Sequence, residues 1–261
     1  MKLFTIFGNP VHHSKSPLIH NAVFSVHRPD SRYTRTLLES GDELKDTFFK
    51  LGIEGASVTV PFKEDAFSQC DEVVGIAKKI GAVNCLVNRN GKMIGYNTDV
   101  YGFLDSIKDF GDTPRVLIIG AGGTAKALLH GFLEKNYTVT ILNRSEKRLE
   151  SFKELGVKTA TWDSFQSENY DLVVNVTSAG LTDSNFPAPE NILKDVFRNS
   201  RFAVDVIYHE TPFLKLAKES GLTTKDGSLM LVYQGVLANE LFTGLDRDLI
   251  EKEMLRGFQL S

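Results

Sequence analysis

Cysteine and long apolar runs are scarce in this chain, and each scarcity excludes a class of protein. Only two of the 261 residues are cysteines, Cys70 and Cys85, and they form neither a CxxC pair nor a metal-binding spacing. This excludes a scaffold held by several disulfides and predicts two buried thiols in a reducing, cytoplasmic compartment. No apolar run approaches the roughly 20 residues that a bilayer-spanning helix needs, and no signal peptide is recognisable, so no membrane partner is expected.

The chain also lacks a large excess of basic or of acidic residues. The 30 basic and 33 acidic residues give a formal net charge of −3, which provides no reason to expect nucleic acid as a partner. Hydrophobic residues make up 42% of the chain and charged residues 24%, as in ordinary soluble proteins. The length fits one large or two smaller domains.

The pattern of apolar segments predicts an α/β protein. In the first hundred residues, strand-like runs alternate with helical stretches that we expect at residues 16–26, 42–51 and 71–79; the predicted strands are 3–7, 33–38, 57–60, 82–88 and 92–96. After a helix over 99–109, a strand–helix series predicts parallel βαβ units, with strands at 115–119, 137–142, 171–176 and 202–207. Two closing helices are expected over 228–244 and 246–259.

A glycine-rich turn follows the first apolar strand of this series. Gly120, Gly122 and Ala125 match the pattern G-x-G-x-x-(G/A) between a strand and a helix. Gly120 permits the tight turn, Gly122 lets the backbone approach a pyrophosphate, and Ala125 allows close packing of helix on strand. The segment predicts a dinucleotide site; the alternative is a tight turn that binds nothing.

The end of the next strand distinguishes between the two nicotinamide cofactors. NAD-binding proteins usually carry a carboxylate there, about 20 residues beyond the glycines. In this chain Arg144 and Ser145 occupy the strand end, Lys147 and Arg148 follow, and the first carboxylate is Glu146. Since a guanidinium can pair with a 2′-phosphate, the sequence predicts NADP, although Arg144 could also be a solvated residue at a helix start.

A lysine occupies an unfavourable place near a strand end. After the predicted strand 57–60, Pro61 is expected to open a helix, which places Lys63 in the first turn, where the helix dipole disfavours a cation. This marks Lys63 as a proton-transfer candidate. It could equally be a surface lysine offset by Glu64 and Asp65.

Hydroxyl and amide side chains border several apolar runs. Ser14 and Ser16 lie just before a predicted helix, where hydroxyls and free backbone N–H groups together suit a carboxylate. Asn84, Asp99 and Gln234 also lie at or near the ends of predicted elements. The adjacent pair at residues 12 and 13 consists of histidines without Cys or acidic neighbours, so we expect no metal site.

Motifs spread over nearly the whole chain closely resemble the shikimate dehydrogenase family. They occur in the family's order: Gly8-Asn9-Pro10, Ser14-Lys15-Ser16-Pro17, Val58-Thr59-Val60-Pro61-Phe62-Lys63, Gly81-Ala82-Val83-Asn84, Asn97-Thr98-Asp99, Gly120-Ala121-Gly122-Gly123, Asn143-Arg144, Asn175-Val176-Thr177-Ser178-Ala179-Gly180, Asp205, Tyr208, Thr211-Pro212, Asp226-Gly227 and Gln234. Ser57 departs from the family, which often has Asn at this position.

The resemblance implies NADPH-dependent, reversible reduction of 3-dehydroshikimate to shikimate in aromatic amino-acid biosynthesis. It implies a substrate domain with a mostly parallel sheet (residues 1–99 plus 232–261) and a Rossmann-type NADP domain (100–231), with the C-terminal helices returning to the first. The protein would be a monomer or homodimer. Alternatives are a quinate or dual-substrate dehydrogenase using NAD, and a non-catalytic binding protein on the same scaffold.

The resemblance also implies individual residue roles. Lys63 and Asp99 would be the catalytic pair. The substrate residues would comprise Ser14, Ser16 and Tyr208 at the carboxylate, and Thr59, Asn84 and Gln234, with Lys63 and Asp99, at the ring hydroxyls. The NADP residues would be Gly120, Gly122, Gly123, Thr124 and Ala125 at the pyrophosphate, Asn143, Arg144, Ser145 and Lys147 at the adenosine phosphate, and Thr177 and Gly227 near the nicotinamide.

Overall fold

Two six-stranded sheets organise residues 1–259, the part of the chain that the computed structural model describes. One compact unit comprises Met1–Asp105 and the chain from Leu231 onward, and the other comprises Ser106–Met230. Both units combine sheet and helices, so the predicted α/β class is confirmed. Within these residues no helix is both long and apolar enough to cross a bilayer.

The sheet of the first unit combines parallel and antiparallel pairs. Its strands are β1 (Lys2–Gly8), β2 (Ser31–Leu37), β3 (Ile53–Val58), β4 (Glu72–Val73), β5 (Cys85–Arg89) and β6 (Lys92–Tyr96), and their spatial order is β2-β1-β3-β5-β6-β4. Pairs β1–β2, β1–β3 and β4–β6 are parallel, whereas β3–β5 and β5–β6 are antiparallel. The β5–β6 hairpin turns at Asn90-Gly91, both at positive φ, as the Asn-Gly signal predicts.

Helices cover this sheet, and two of them come from the C-terminal end of the chain. The helices are α1 (Ser16–His27), α2 (Leu44–Lys50), α3 (Lys63–Gln69), α4 (Ile76–Ile80), α5 (Asp99–Ser106), α10 (Ser228–Thr243) and α11 (Arg247–Gln259), the last two numbered in chain order. Val232, Ile250 and Met254 join Ile19 and Val23 of α1 in one buried cluster. This apolar contact returns the C-terminal helices to the first sheet, as predicted.

The helix predicted over residues 71–79 is wrong in its first half. Asp71 accepts a hydrogen bond from the Met93 amide (2.7 Å), and the Val74 amide donates to the Gly95 carbonyl (2.9 Å). These bonds attach β4 to the edge of the sheet, and α4 starts only at Ile76. Tertiary pairing with β6 therefore overrides the local helical pattern.

The second unit has a fully parallel sheet. Its strands are β7 (Arg115–Ile119), β8 (Thr138–Leu142), β9 (Lys158–Ala160), β10 (Leu172–Asn175), β11 (Phe202–Asp205) and β12 (Thr223–Lys225), and their order is β12-β11-β10-β7-β8-β9. This is the Rossmann order, with two three-strand halves that diverge from β7. The helices are α6 (Gly123–Glu134), α7 (Glu150–Lys153), α8 (Glu190–Phe197) and α9 (Pro212–Glu219).

Candidate active site

Two loops of the first unit lie side by side where β1 and β3 end. The Thr59 amide donates to the Phe7 carbonyl (2.9 Å), and the Asn9 amide donates to the Val60 carbonyl (3.1 Å). A Cβ on Gly8 would come within 2.5 Å of the Thr59 side chain, so this approach requires glycine. The carboxyl ends of the two parallel strands thus bring the Ser14 loop and the Thr59 loop to one edge of the sheet.

Ser14 and Ser16 occupy the first of these loops. Both side chains are buried, and the Ser16 amide donates to Ser14 Oγ (3.3 Å). Helix α1 begins at Ser16 and has neither a side-chain hydrogen bond at its N-cap nor an acidic residue in its first turn. A pair of hydroxyls beside such a helix start suits a carboxylate.

Lys63 and Asp99 meet at the starts of two helices. Lys63 is the first residue of α3 and Asp99 the first of α5, and Lys63 Nζ lies 2.7 Å from Asp99 Oδ2. The lysine side chain is 30% exposed and the aspartate side chain 16%, so the pair is partly shielded but accessible. The expectation that Pro61 opens the helix is wrong, because the Phe62 amide closes a turn onto the Thr59 carbonyl (3.0 Å) and the helix starts only after it.

The Asn84 side chain is held by Thr98, a residue for which the sequence pattern predicts no role. Asn84 Oδ1 accepts from the Thr98 amide (2.7 Å), and Asn84 Nδ2 lies 3.0 Å from Thr98 Oγ1. The Asn84 carbonyl also accepts from the Val58 amide (2.8 Å). Thr98 therefore fixes the Asn84 amide immediately before Asp99; the only sequence signal was its place within the Asn-Thr-Asp motif.

Gln234 lies on α10 beside the first turn of α5. A Cβ on Gly102 would come within 2.5 Å of the Gln234 backbone nitrogen, so the two helices touch at this glycine. Gln234 is buried, and its Nε2 donates to the Leu231 carbonyl (2.8 Å). The contact places the Gln234 main chain against Gly102, three residues after Asp99 on α5. Of the predicted substrate residues, Tyr208 alone belongs to the second unit, where it is exposed just after β11.

The glycine turn of the second unit leaves open space at the start of α6. Gly120 has φ of +116°, and a Cβ there would press on Thr177 and Val176 at 3.0 Å. At Gly122 and Gly123 a Cβ would meet nothing within 4 Å, so their backbone faces open space. Helix α6 starts here without a side-chain cap or an acidic residue, and this leaves its amides and positive dipole end available to an anion.

The end of β8 fits a phosphate rather than a free ribose hydroxyl. Arg144 and Lys147 are exposed, and Asn143 Nδ2 donates to the Ser145 carbonyl (3.1 Å), which tightens the turn. Glu146, the first carboxylate after the strand, pairs with Lys153. A ribose 2′-hydroxyl would therefore find no free carboxylate at this strand end, whereas a 2′-phosphate would find cations.

A buried polar network holds Thr177. Thr177 donates its amide (3.0 Å) and its hydroxyl (2.8 Å) to Asn175 Oδ1. Asn175 Nδ2 in turn donates to Asp205 Oδ2 (2.8 Å), which also accepts from the Thr211 hydroxyl (2.7 Å). Burial raises the pKa of the Asp205 carboxyl. We gave Asn175 and Asp205 no site role from the sequence, because their contacts join strands that lie 30 residues apart.

Gly227 is required by a close approach of main chain. A Cβ at this position would collide with the Val206 carbonyl group, and the Gly227 amide donates to the Ile207 carbonyl (2.9 Å). The glycine thus lets residues beyond β12 cross the end of β11. Both of these segments lie in the second unit.

Two protein-family models match this chain. The shikimate dehydrogenase substrate binding domain matches residues 6–86, and the shikimate / quinate 5-dehydrogenase model matches residues 105–206. The chain is 44% identical to the shikimate dehydrogenase (NADP(+)) of Helicobacter acinonychis, with 93% of each chain covered. The chain belongs to the shikimate dehydrogenase family.

Two further members of the family are similar to this chain, one in sequence and one in both sequence and fold. The shikimate dehydrogenase (NADP(+)) of Helicobacter hepaticus is 42% identical over 92% of this chain and 90% of its own length. The crystal structure of the Thermus thermophilus shikimate 5-dehydrogenase in complex with NADP(H) and shikimate is 32% identical, covers 98% of this chain and 100% of its own, and superposes with a TM-score of 0.86.

One departure from the family pattern has a local counterpart in the structure. Ser57, which stands where family members often carry Asn, accepts a hydrogen bond at Oγ from the Tyr33 hydroxyl (2.7 Å). Tyr33 stacks on the His20 ring, with centroids 4.2 Å apart and planes 3° apart. The shorter serine side chain thus belongs to a buried network beneath the site loops.

Proposed function

We propose that this chain catalyses the reversible, NADPH-dependent reduction of 3-dehydroshikimate to shikimate, a step of aromatic amino-acid biosynthesis. It is an oxidoreductase that acts on a CH–OH group. The observation that carries the proposal is the Lys63–Asp99 pair, 2.7 Å apart, in a chain that is 44% identical to a shikimate dehydrogenase (NADP(+)).

Lys63 acts as the proton donor to the ketone oxygen. Reduction of a ketone places negative charge on that oxygen, and a nearby ammonium group stabilises the charge and can supply the proton. Asp99 orients Lys63 through their hydrogen bond and has a second oxygen for a substrate hydroxyl. The hydride comes from NADPH when the cofactor is bound.

The remaining substrate residues orient the ring. Ser14 and Ser16, with the α1 N-terminus behind them, bind the carboxylate, and Tyr208 adds a hydroxyl. Thr59, Asn84 and Gln234 bind ring hydroxyls. The Asn84 amide keeps one N–H for this purpose, since Thr98 engages the other.

NADP is the cofactor, and residues of the second unit hold it. The glycine turn with Thr124 and Ala125 binds the pyrophosphate at the start of α6. Asn143, Arg144, Ser145 and Lys147 bind the adenosine phosphate, while Thr177 and Gly227 lie along the nicotinamide. We assign substrate binding to residues 1–99 with 232–261 and cofactor binding to residues 100–231.

The cellular setting follows from composition. Both cysteines are free thiols, Cys85 buried and Cys70 half-buried, which suits the reducing cytoplasm. A net charge of −3 argues against nucleic acid as a partner. We expect a monomer or homodimer, which light scattering of the purified protein tests.

The direct test is NADPH formation at 340 nm, with NADP or NAD and with shikimate or quinate. We expect strong turnover only with shikimate and NADP. Turnover with quinate or NAD would retain the Lys63–Asp99 chemistry but refute the assigned specificity. If no combination is turned over while shikimate still binds, a non-catalytic binding protein replaces the proposal.

A further inference from the structure

Arg35 forms hydrogen bonds to the main chain of the loop that carries Ser14. Arg35 lies on β2, the edge strand of the first sheet, and donates two hydrogen bonds to the Ser14 carbonyl, from Nε (3.0 Å) and from Nη2 (2.5 Å). None of the ion pairs among residues 1–259 includes Arg35. The contact that the structure gives its guanidinium is with the Ser14 carbonyl.

The carbonyl that Arg35 holds belongs to the same residue as a predicted carboxylate ligand. Ser14 is 9% exposed, and its hydroxyl already accepts from the Ser16 amide (3.3 Å). Two hydrogen bonds to one carbonyl oxygen fix the following peptide plane, and with it the direction of the turn into α1. A fixed turn keeps both serine hydroxyls in one orientation before any ligand arrives.

We propose that Arg35 is a positioning residue for the substrate carboxylate. Its guanidinium fixes the Ser14–Ser16 turn and adds positive potential beside it, so that an anionic substrate is preferred over a neutral analogue. The inference rests on the proposed function, in which these serines bind the carboxylate of shikimate.

Neighbouring cations do not duplicate this role. Lys15 lies within the turn, but its Nζ is placed over the Phe258 ring, 5.0 Å from the centroid. Arg32, on the same strand, donates to the Pro29 carbonyl (2.9 Å) and the Ser31 carbonyl (2.7 Å). Arg32 thus makes the same kind of contact at the other end of β2 and offers a matched control.

The test compares Arg35→Gln, Arg35→Lys and the control Arg32→Gln in steady-state assays with shikimate and with its uncharged methyl ester. We expect Arg35→Gln to raise the KM for shikimate about tenfold, with kcat within about twofold and the KM for NADP unchanged, because a carboxylate contact serves binding more than chemistry. The preference of wild type for the acid over the ester, measured as kcat/KM, should fall by a similar factor. Arg35→Lys should retain part of that preference, since it keeps the charge.

The other outcomes overturn the proposal. If Arg35→Gln behaves as Arg32→Gln does, Arg35 has no part in recognition. If it weakens acid and ester equally, its role is only structural. Since Arg35 is exposed, we expect all three variants to fold. Should Arg35→Gln fail to fold, Arg35→Met removes the same charge, and an acid-to-ester ratio in that variant equal to that of wild type refutes the charge contribution. An inactive wild-type enzyme would instead refute the proposed function itself.

Discussion

Lys63 and Asp99 begin two different helices, and their side chains meet at 2.7 Å. The main chain near each residue is hydrogen-bonded to the two residues that precede β5. The Val83 amide donates to the Lys63 carbonyl (2.9 Å), and the Asn84 side chain binds Thr98. The segment that leads into β5 therefore sets the separation of the two charged groups, which makes the pair a preorganised element rather than a flexible surface contact.

Replacing Lys63 by alanine should lower kcat for shikimate oxidation by about 10²–10⁴-fold, the range typical for loss of a general acid or base. The dissociation constant of NADPH, measured by fluorescence titration, should change less than about twofold, because all the predicted cofactor residues lie between positions 120 and 227. Unchanged turnover would remove Lys63 from the mechanism.

Lys45→Ala is the matched control for that experiment. Lys45 pairs with Asp71 at 2.5 Å in the same unit, and both side chains are about one-third exposed. Loss of such an exposed pair costs at most about 1 kcal/mol of stability, so its activity should match that of wild type. A loss of activity in Lys45→Ala would mean that the loss in Lys63→Ala cannot be assigned to proton transfer, since removal of a lysine outside the site would have the same effect.

Arg144→Asp should shift cofactor preference from NADP towards NAD. The substitution removes a charge-assisted contact to the 2′-phosphate, worth about 1.5–3 kcal/mol, and supplies a carboxylate for a ribose hydroxyl. We expect kcat/KM for NADP to fall by about 10–100-fold while that for NAD is retained or rises. Arg148→Asp makes the same charge change at an exposed neighbour and should leave the preference intact; equal shifts in both variants would mean a general field effect.

Local sequence patterns predicted those helices and strands whose sequence signals lie next to each other in the chain. The turn at Gly120 follows a fully apolar strand and opens a helix, so three adjacent signals agree, and the structure has strand, turn and helix there. The three-residue strands β9 and β12 and the helix α9 were not predicted. Short edge strands exist only through their pairing with β8 and β11, which no local pattern expresses.

Local sequence patterns could not predict contacts between residues that lie far apart in the chain. The side chains of Asn84 and Thr98 meet only because β5 and β6 form a hairpin in one register, and Arg35 reaches Ser14 across 21 residues. The assignment of Lys63 and Asp99 as a pair came from family resemblance, since nothing in their spacing requires it. Their catalytic role, like that of the other site residues, stays a prediction until variants are measured.

Thr98→Val should raise the KM for shikimate about tenfold without changing that for NADP. Valine has nearly the shape of threonine but lacks the hydroxyl that accepts from Asn84 Nδ2. The main-chain amide at position 98 still binds Asn84 Oδ1, but Nδ2 loses the partner that fixes the direction of its second N–H towards the substrate. The lost buried hydrogen bond should also lower the free energy of unfolding by about 1–3 kcal/mol, which urea titration measures. Thr98→Ser retains the hydroxyl and should restore the KM; a KM unchanged in Thr98→Val would show that Asn84 needs no such support.

His20 should make the stability of the protein fall as the pH is lowered. The imidazole is fully buried, stacks on Tyr33, and its Nδ1 accepts a hydrogen bond from Asn239 Nδ2 (3.0 Å). Burial lowers the pKa of His20 from its ordinary value of 6.5 to about 3. Because the unfolded chain binds a proton that the folded chain excludes, this contribution to stability is complete above pH 6.5 and declines steadily between pH 6.5 and about 3.

The variant His20→Gln isolates that contribution. Glutamine can accept a hydrogen bond from Asn239 but does not titrate. The free energy of unfolding of the variant should therefore fall less than that of wild type between pH 7 and pH 5. Urea unfolding at several pH values measures both slopes. The variant loses the stacking on Tyr33 and should be less stable at pH 7, so the comparison concerns the slopes alone. If wild type and His20→Gln show the same slope, His20 does not remain neutral in the folded protein.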